Sequence, residues 1–175
     1  MLKTIGTVLV AALALSVAAT ASQKSASYQL TANLKARNEV PKPAGVSTSA
    51  VGLFTAKAVE QSGGGAKITW RLTFSHLTGA ATASHIHLGK VGASGPVAVS
   101  LCGPCKSGAK GTAMATAAQW KAIESGGAYV NVHTVKNPNG EIRGQIKSSS
   151  GGSTSSSSSS SGSNGGYGSD DYPGK

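Results

Sequence analysis

Two histidines stand one residue apart in ATASHIHLGK, residues 81–90, in a chain that holds four. In an extended strand, side chains at i and i+2 leave the same side, so His85 and His87 would present their imidazoles from Cα atoms roughly 6.6 Å apart. Both rings can then reach one metal ion. A third nitrogen can come from His133, in YVNVHT at 129–134, if its strand lies alongside. Three imidazoles suit Zn²⁺ or Cu²⁺. The same residues also fit a structural network, in which the rings hydrogen-bond to backbone or to Glu141 and clamp neighbouring strands. The remaining His76 follows the pattern that ends at Phe74 and reads as a loop residue.

The second chemical candidate is CGPC, Cys102 to Cys105, the only cysteines of the chain. A redox pair of this spacing should open a helix after a strand, but the flexible stretch KSGAKG follows it. A local disulfide pinning the loop is the expectation, with redox or metal chemistry as lesser alternatives. So short a loop gives little entropic stabilisation, and the bridge would mainly fix geometry. Hydrolase chemistry finds little support. Glu39, Glu60, Glu124 and Glu141 are the only carboxylates before residue 148, and no serine sits in a nucleophile elbow.

The elements that must carry these residues read as strands. In AKITWRLTF, Ile68, Trp70, Leu72 and Phe74 alternate with Lys67, Thr69, Arg71 and Thr73, the period of a half-buried strand. SYQLTANLK repeats the pattern with Tyr28, Leu30, Ala32 and Leu34. SGGG at 62–65 joins STSAVGLFTAKAV to the Trp70 strand as a hairpin. Further strands are expected at 82–88, 96–101, 111–115, 128–134 and 141–147, separated by Gly- and Pro-rich loops. One segment differs. Thr116 can cap a short helix over Ala117–Glu124, with Trp120 and Ile123 on its packing face and Gly126-Gly127 ending it. The expectation is an all-β fold: a single antiparallel β-sandwich, Ig-like or superoxide-dismutase-like, of about seven or eight strands with one short helix. NPNG at 137–140 is a turn, Pro138 presetting φ and Asn139-Gly140 admitting positive φ. Glu141 and Arg143 then share a strand face, which suggests an ion pair between them or with a cross-strand partner.

The ends are of different kinds. Residues 1–21 have the basic start, apolar run and Ala19-Thr20-Ala21 exit of a signal peptide cleaved before Ser22, and the run is marginal for a membrane span. Residues 148–175, rich in Ser and Gly, lack apolar side chains to bury and read as a disordered tail, either bare or carrying O-glycans or a wall attachment. Residues 22–147 form one domain, with 14 Lys/Arg against 4 Asp/Glu. Plausible partners are an extracellular protein or an anionic polymer or surface, such as acidic polysaccharide, phospholipid head groups or wall polymers. Scattered basic residues and few aromatics argue against nucleic acid.

Three blocks carry a family resemblance: NEVP at 38–41, SHIHLGKVGASGPVAVSLC at 84–102 and GGAYVNVHTVKNPNGEIRGQIK at 126–147. Together they resemble the CHRD (chordin-type) domain, in its exported microbial single-domain form, over about Tyr28 to Lys147. The motif positions of the last block include Asn131, Asn137, Pro138, Gly140, Glu141, Arg143 and Gly144. The resemblance implies one β-sandwich-like domain and a binding role, with no agreed activity. H-x-H before a glycine-rich loop is also similar to copper–zinc superoxide dismutases, but the histidines are too few for that bimetal site and residues 22–147 hold no aspartate. Fold likeness alone does not transfer the activity. The reading is an exported, non-enzymatic binding or structural module meeting an anionic partner through a basic surface. The alternative is a copper- or zinc-binding protein using His85, His87 and His133.

Overall fold

A computed structural model describes residues 25–151; the segment read as a signal peptide, 1–21, and nearly all of the segment read as a disordered tail, 148–175, lie outside the described residues. Nine strands form one antiparallel sheet. They are β1 (Ser27–Lys35), β2 (Val51–Glu60), β3 (Ala66–Ser75), β4 (Ala81–Leu88), β5 (Val97–Cys102), β6 (Ala109–Ala115), β7 (Ala128–Thr134), β8 (Ile142–Gln145) and β9 (Lys147–Ser150). The sheet order is β5-β4-β7-β8-β1-β2-β3-β6, with β9 beside β1 beyond β8. The end strands β5 and β6 lie against each other without pairing, so the sheet curls into a nearly closed barrel-like sandwich. The disulfide Cys102–Cys105 pins the loop that joins them, and the Cys105 N–H donates to the Ala81 carbonyl.

Alternation decides which side chains meet inside. Leu30, Leu34, Phe54, Ile68, Leu72 and Ile86 are fully buried, as are Val130, Val132 and Ile142 from the far strands. Each such side chain contributes about 1.5–3 kcal/mol on burial. Phe74, expected in the core, is only half-buried at the end of β3. The helix α1 (Ala117–Glu124) forms where the sequence placed it. Thr116 accepts from the Gln119 N–H, the Gln119 side chain returns the bond in a capping box, and Trp120 and Ile123 are buried.

The C-terminal boundary needs correction. The single strand expected over 141–147 is two: β8 pairs with β7, and the chain then passes to β9 along β1. Ser148, Ser149 and Ser150 therefore belong to the sheet, paired with Leu30, Gln29 and Tyr28. Their order comes from backbone pairing, which needs no apolar side chain. Gly144 permits the crossing, since a Cβ there would come within 2.5 Å of the Asn33 carbonyl oxygen.

Candidate metal centre

Strands β4 and β7 place the histidines. On β4, Ser84 and Ile86 face inward, and Ala83, His85 and His87 face outward. On β7, Val130 and Val132 face inward, and Tyr129, Asn131 and His133 face outward. The antiparallel register sets Ala83 opposite His133, His85 opposite Asn131 and His87 opposite Tyr129. His133 is thus the diagonal neighbour of His85 on the same face. On its other edge, β4 meets β5 with irregularities at Ser84/His85 and Ile86/His87. Bulges of this kind re-aim side chains and gather beside functional sites.

The outward face is not open to water here. His87 and His133 retain 9% and 8% exposure, and every residue of β7 is buried. The 89–96 loop and the 135–141 turn close over it, and they do so by bonds to the rings. His87 Nδ1 lies 2.9 Å from the Gly95 carbonyl oxygen, and His133 Nδ1 lies 2.9 Å from that of Pro138. A carbonyl only accepts, so both Nδ1 atoms carry the proton and both Nε2 atoms keep a lone pair. His133 Nε2 stands 3.1 Å from His85 Nδ1, while His87 Nε2 is buried with no partner. One nitrogen from each ring falls within 4.8 Å of the other two.

Burial and mutual proximity favour the neutral forms of His85 and His133. Burial, then the nearness of His133 and His87, lowers the His85 pKa. Burial lowers that of His133 as well, against the opposing bond to Pro138, with His87 adding to the depression. With its Nδ1 proton on the Pro138 carbonyl, His133 Nε2 accepts from His85 Nδ1, and a metal ion bound between the two would take the place of that proton. Tetrahedral nitrogens at about 2.0–2.1 Å from Zn²⁺ stand roughly 3.3 Å apart. The His85–His133 pair stands at 3.1 Å, close to that spacing, and His87 offers a third nitrogen within 4.8 Å.

The supporting shell is built from the motif residues. The His87 ring stacks on Tyr129 at 5.1 Å between centroids, and the Arg143 guanidinium carbon sits 3.4 Å from the Tyr129 centroid. Arg143 Nη2 donates to the carbonyls of Lys90 and Ala93, and Gln145 Nε2 donates to those of Gly89 and Gly126. These bonds hold the loop that presents the Gly95 carbonyl to His87. Glu141 performs the matching task for the 135–140 turn. Its carboxylate accepts from Thr78 N and Oγ1, Thr134 Oγ1 and Asn137 Nδ2. Burial raises the Glu141 pKa, but these bonds outweigh it and leave the value low. Asn137 Oδ1 also accepts the Ala44 N–H, tying in the 36–46 segment.

The structure corrects one expectation and narrows two others. Glu141 and Arg143 form no ion pair with each other, because Glu141 precedes β8 and turns to Thr78 while Arg143 turns to the 89–96 loop. Of the two partners expected for the rings, backbone or Glu141, His87 and His133 take backbone carbonyls, and His85 meets His133. In the turn, Gly140 alone takes positive φ, at 129°, and a Cβ there would meet the Glu39 carboxylate. His76 is exposed in a loop with φ 59°, away from the other three. Cys102 and Cys105 are bridged, and the next element is the strand β6 and not a helix.

Sequence reasoning passed over Tyr129, Gly95 and Thr78, and gave Glu39 no role. Glu39 is buried beside Asn131, Arg143 and Gly140. Burial pushes its pKa up to about 7, although the Arg143 charge, the Val40 N–H and the Asn131 side chain pull it down. NEVP was the one available signal, as a motif block without an assigned chemistry.

No curated protein and no solved structure matches the chain. The family model described as CHRD domain matches residues 30–146, from β1 through the residue that joins β8 to β9. The match spans the sheet, all three histidines and the shell around them, and the chain belongs to the CHRD domain family.

Proposed function

We propose that the protein is an extracellular, non-enzymatic binding module whose β4–β7 face holds one Zn²⁺ or Cu²⁺ ion through His85, His87 and His133. One observation carries the reading: three imidazoles converge, and the Gly95 and Pro138 carbonyls hold Nδ1 of two of them so that Nε2 is the nitrogen turned to the cluster. The role is to hold the ion and not to turn over a substrate. The cluster consists of imidazoles alone, and Glu141 is already committed to Thr78, Thr134 and Asn137.

Metal analysis and calorimetry with Zn²⁺ and Cu²⁺ on the purified protein test it. One ion per chain with sub-micromolar affinity is expected, weakening on acidification as protons compete for the rings. His87→Ala and His133→Ala should abolish the site, and His76→Ala should leave it intact. Absence of a stoichiometric site, or undiminished binding in both variants, refutes the reading. A second reading has the His85–His133 bond at 3.1 Å stitching β4 to β7 without metal. It predicts that the two variants lose stability while the parent protein binds no ion.

The domain's excess of basic over acidic side chains supports a further contact, with an anionic extracellular partner. Export fits the family and the N-terminal residues, and no helix among the described residues is long and apolar enough to cross a membrane.

A further inference from the structure

The opposite flank of the sheet carries a second surface. On β9, β1, β2, β3 and β6, one register row reads Lys147, Thr31, Thr55, Arg71, Lys110. The adjoining row contains Gln29, Lys57, Thr69 and Thr112, and Lys67 stands in the next. Nearly all of these side chains are exposed. Among the described residues, no Asp or Glu occupies an outward position on these five strands. A shallow groove of about 520 Å³ runs between Lys57, Arg71 and Lys110.

Arg71 and Lys110 stand directly opposite each other. Like charges in that relation destabilise a sheet. Among the described residues no acidic side chain on the face relieves them, so an anionic partner would supply the counter-charge the face lacks. Strand spacing of about 4.8 Å and a two-residue repeat of about 6.7 Å set neighbouring cations roughly 5–10 Å apart on a regular grid. Threonine hydroxyls and the Gln29 amide fill the positions between. No aromatic side chain projects from the face to stack on a base, which disfavours nucleic acid.

We infer that this five-strand face is a docking surface for a linear anionic polysaccharide. Lys57, Arg71 and Lys110 meet its carboxylate or sulfate groups, and Thr55, Thr69 and Thr112 bond its hydroxyls. The inference rests on the anionic-partner reading above and gives it a place and a chemical class; it is independent of the metal site.

The test is binding of the full chain to polygalacturonate and to dextran sulfate, with neutral dextran, anionic phospholipid vesicles and single-stranded DNA as comparators. Both polyanions should bind, with affinity falling steeply as salt rises. The triple variant Lys57→Ser, Arg71→Ser, Lys110→Ser should lose about tenfold or more in affinity, a loss of roughly 1.4 kcal/mol. A control triple, Lys90→Ser, Lys106→Ser, Lys121→Ser, removes the same charge from other exposed positions and should lose less than about threefold. Equal loss in both triples, or loss only in the control, overturns the face while leaving an anionic partner in place. No binding of either polyanion by the parent chain refutes the partner reading itself. Tighter binding to vesicles or DNA overturns the polysaccharide. Matching melting curves exclude misfolding of the variants, and the two polyanions separate carboxylate from sulfate.

Discussion

The outward side of one sheet is used in two ways. Over β4, β7 and β8 it is roofed by loops, and its polar residues are buried, bonded mostly to loop carbonyls, with a few atoms such as His87 Nε2 left without a partner. Over β1, β2, β3 and β6 it is bare, and its side chains stand as separate cations and hydroxyls. Lys35 and Arg143 mark the seam, since they are register partners on β1 and β8. Lys35 is half-buried, while Arg143 keeps only 2% of its surface. Antiparallel pairing continues across the seam, with irregularities only on the β4 side, so the covering of the one flank comes from its loops. A polar side chain under a loop must find partners, because leaving one unmade costs about 1–3 kcal/mol. On the bare flank water supplies the partners, and the residues there are free to serve binding.

The largest effect should separate the two arginines. Arg143→Ala leaves the Lys90 and Ala93 carbonyls without their donor and removes the nearest positive charge from Glu39. A loss of about 3 kcal/mol or more is expected in denaturant unfolding. Arg71→Thr on the bare flank should change stability by less than about 0.5 kcal/mol, and in the stabilising direction, because it relieves Lys110. Equal costs would dissolve the distinction.

Next come the carboxylates on either side of Gly140. The folded-state pKa of Glu141 lies below its unfolded value, so its contribution is present above the unfolded value and is lost as pH falls through the folded one. Glu141→Gln should cost about 2 kcal/mol at neutral pH and progressively less in acid. Glu39 has the opposite sign. Its value is raised from 4.5 to about 7, so stability is fully present below 4.5 and declines as pH rises through 7. Glu39→Gln should therefore gain about 1–3 kcal/mol at pH 8 and nearly nothing at pH 4. Chemical unfolding across pH measures both, and parallel profiles would contradict the assignment.

A smaller effect tests the roof itself. A Cβ at Gly95 would overlap the Leu88 carbonyl oxygen, so Gly95→Ala must move the carbonyl that orients His87. Metal affinity should fall about 10–100-fold with the three ligands intact. Unchanged affinity would show that the loop does not set the ring.

What could be read from sequence follows the same division. The bare flank was legible, because Lys67, Thr69 and Arg71 alternate with Ile68, Trp70 and Leu72 and water accepts whatever points outward. So was the shared face of His85, His87 and His133, since alternation fixes it once β4 and β7 pair. The roof was not. Arg143 reaches backbone carbonyls some fifty residues earlier, and Glu141 reaches Thr78, contacts that no local spacing encodes. The Glu141–Arg143 pairing failed for that reason: residues two apart share a face only while both lie in the strand. Ser148–Ser150 joined the sheet through backbone bonds that composition does not reveal.

The central claim is that three imidazoles converge on one ion beneath the roof. X-ray absorption spectroscopy of the protein loaded with one equivalent of Zn²⁺ tests it most directly. The account predicts three imidazole nitrogens at about 2.0–2.1 Å, falling to two in His85→Ala. A shell of oxygen ligands with one imidazole or none, unchanged in the variant, would contradict it.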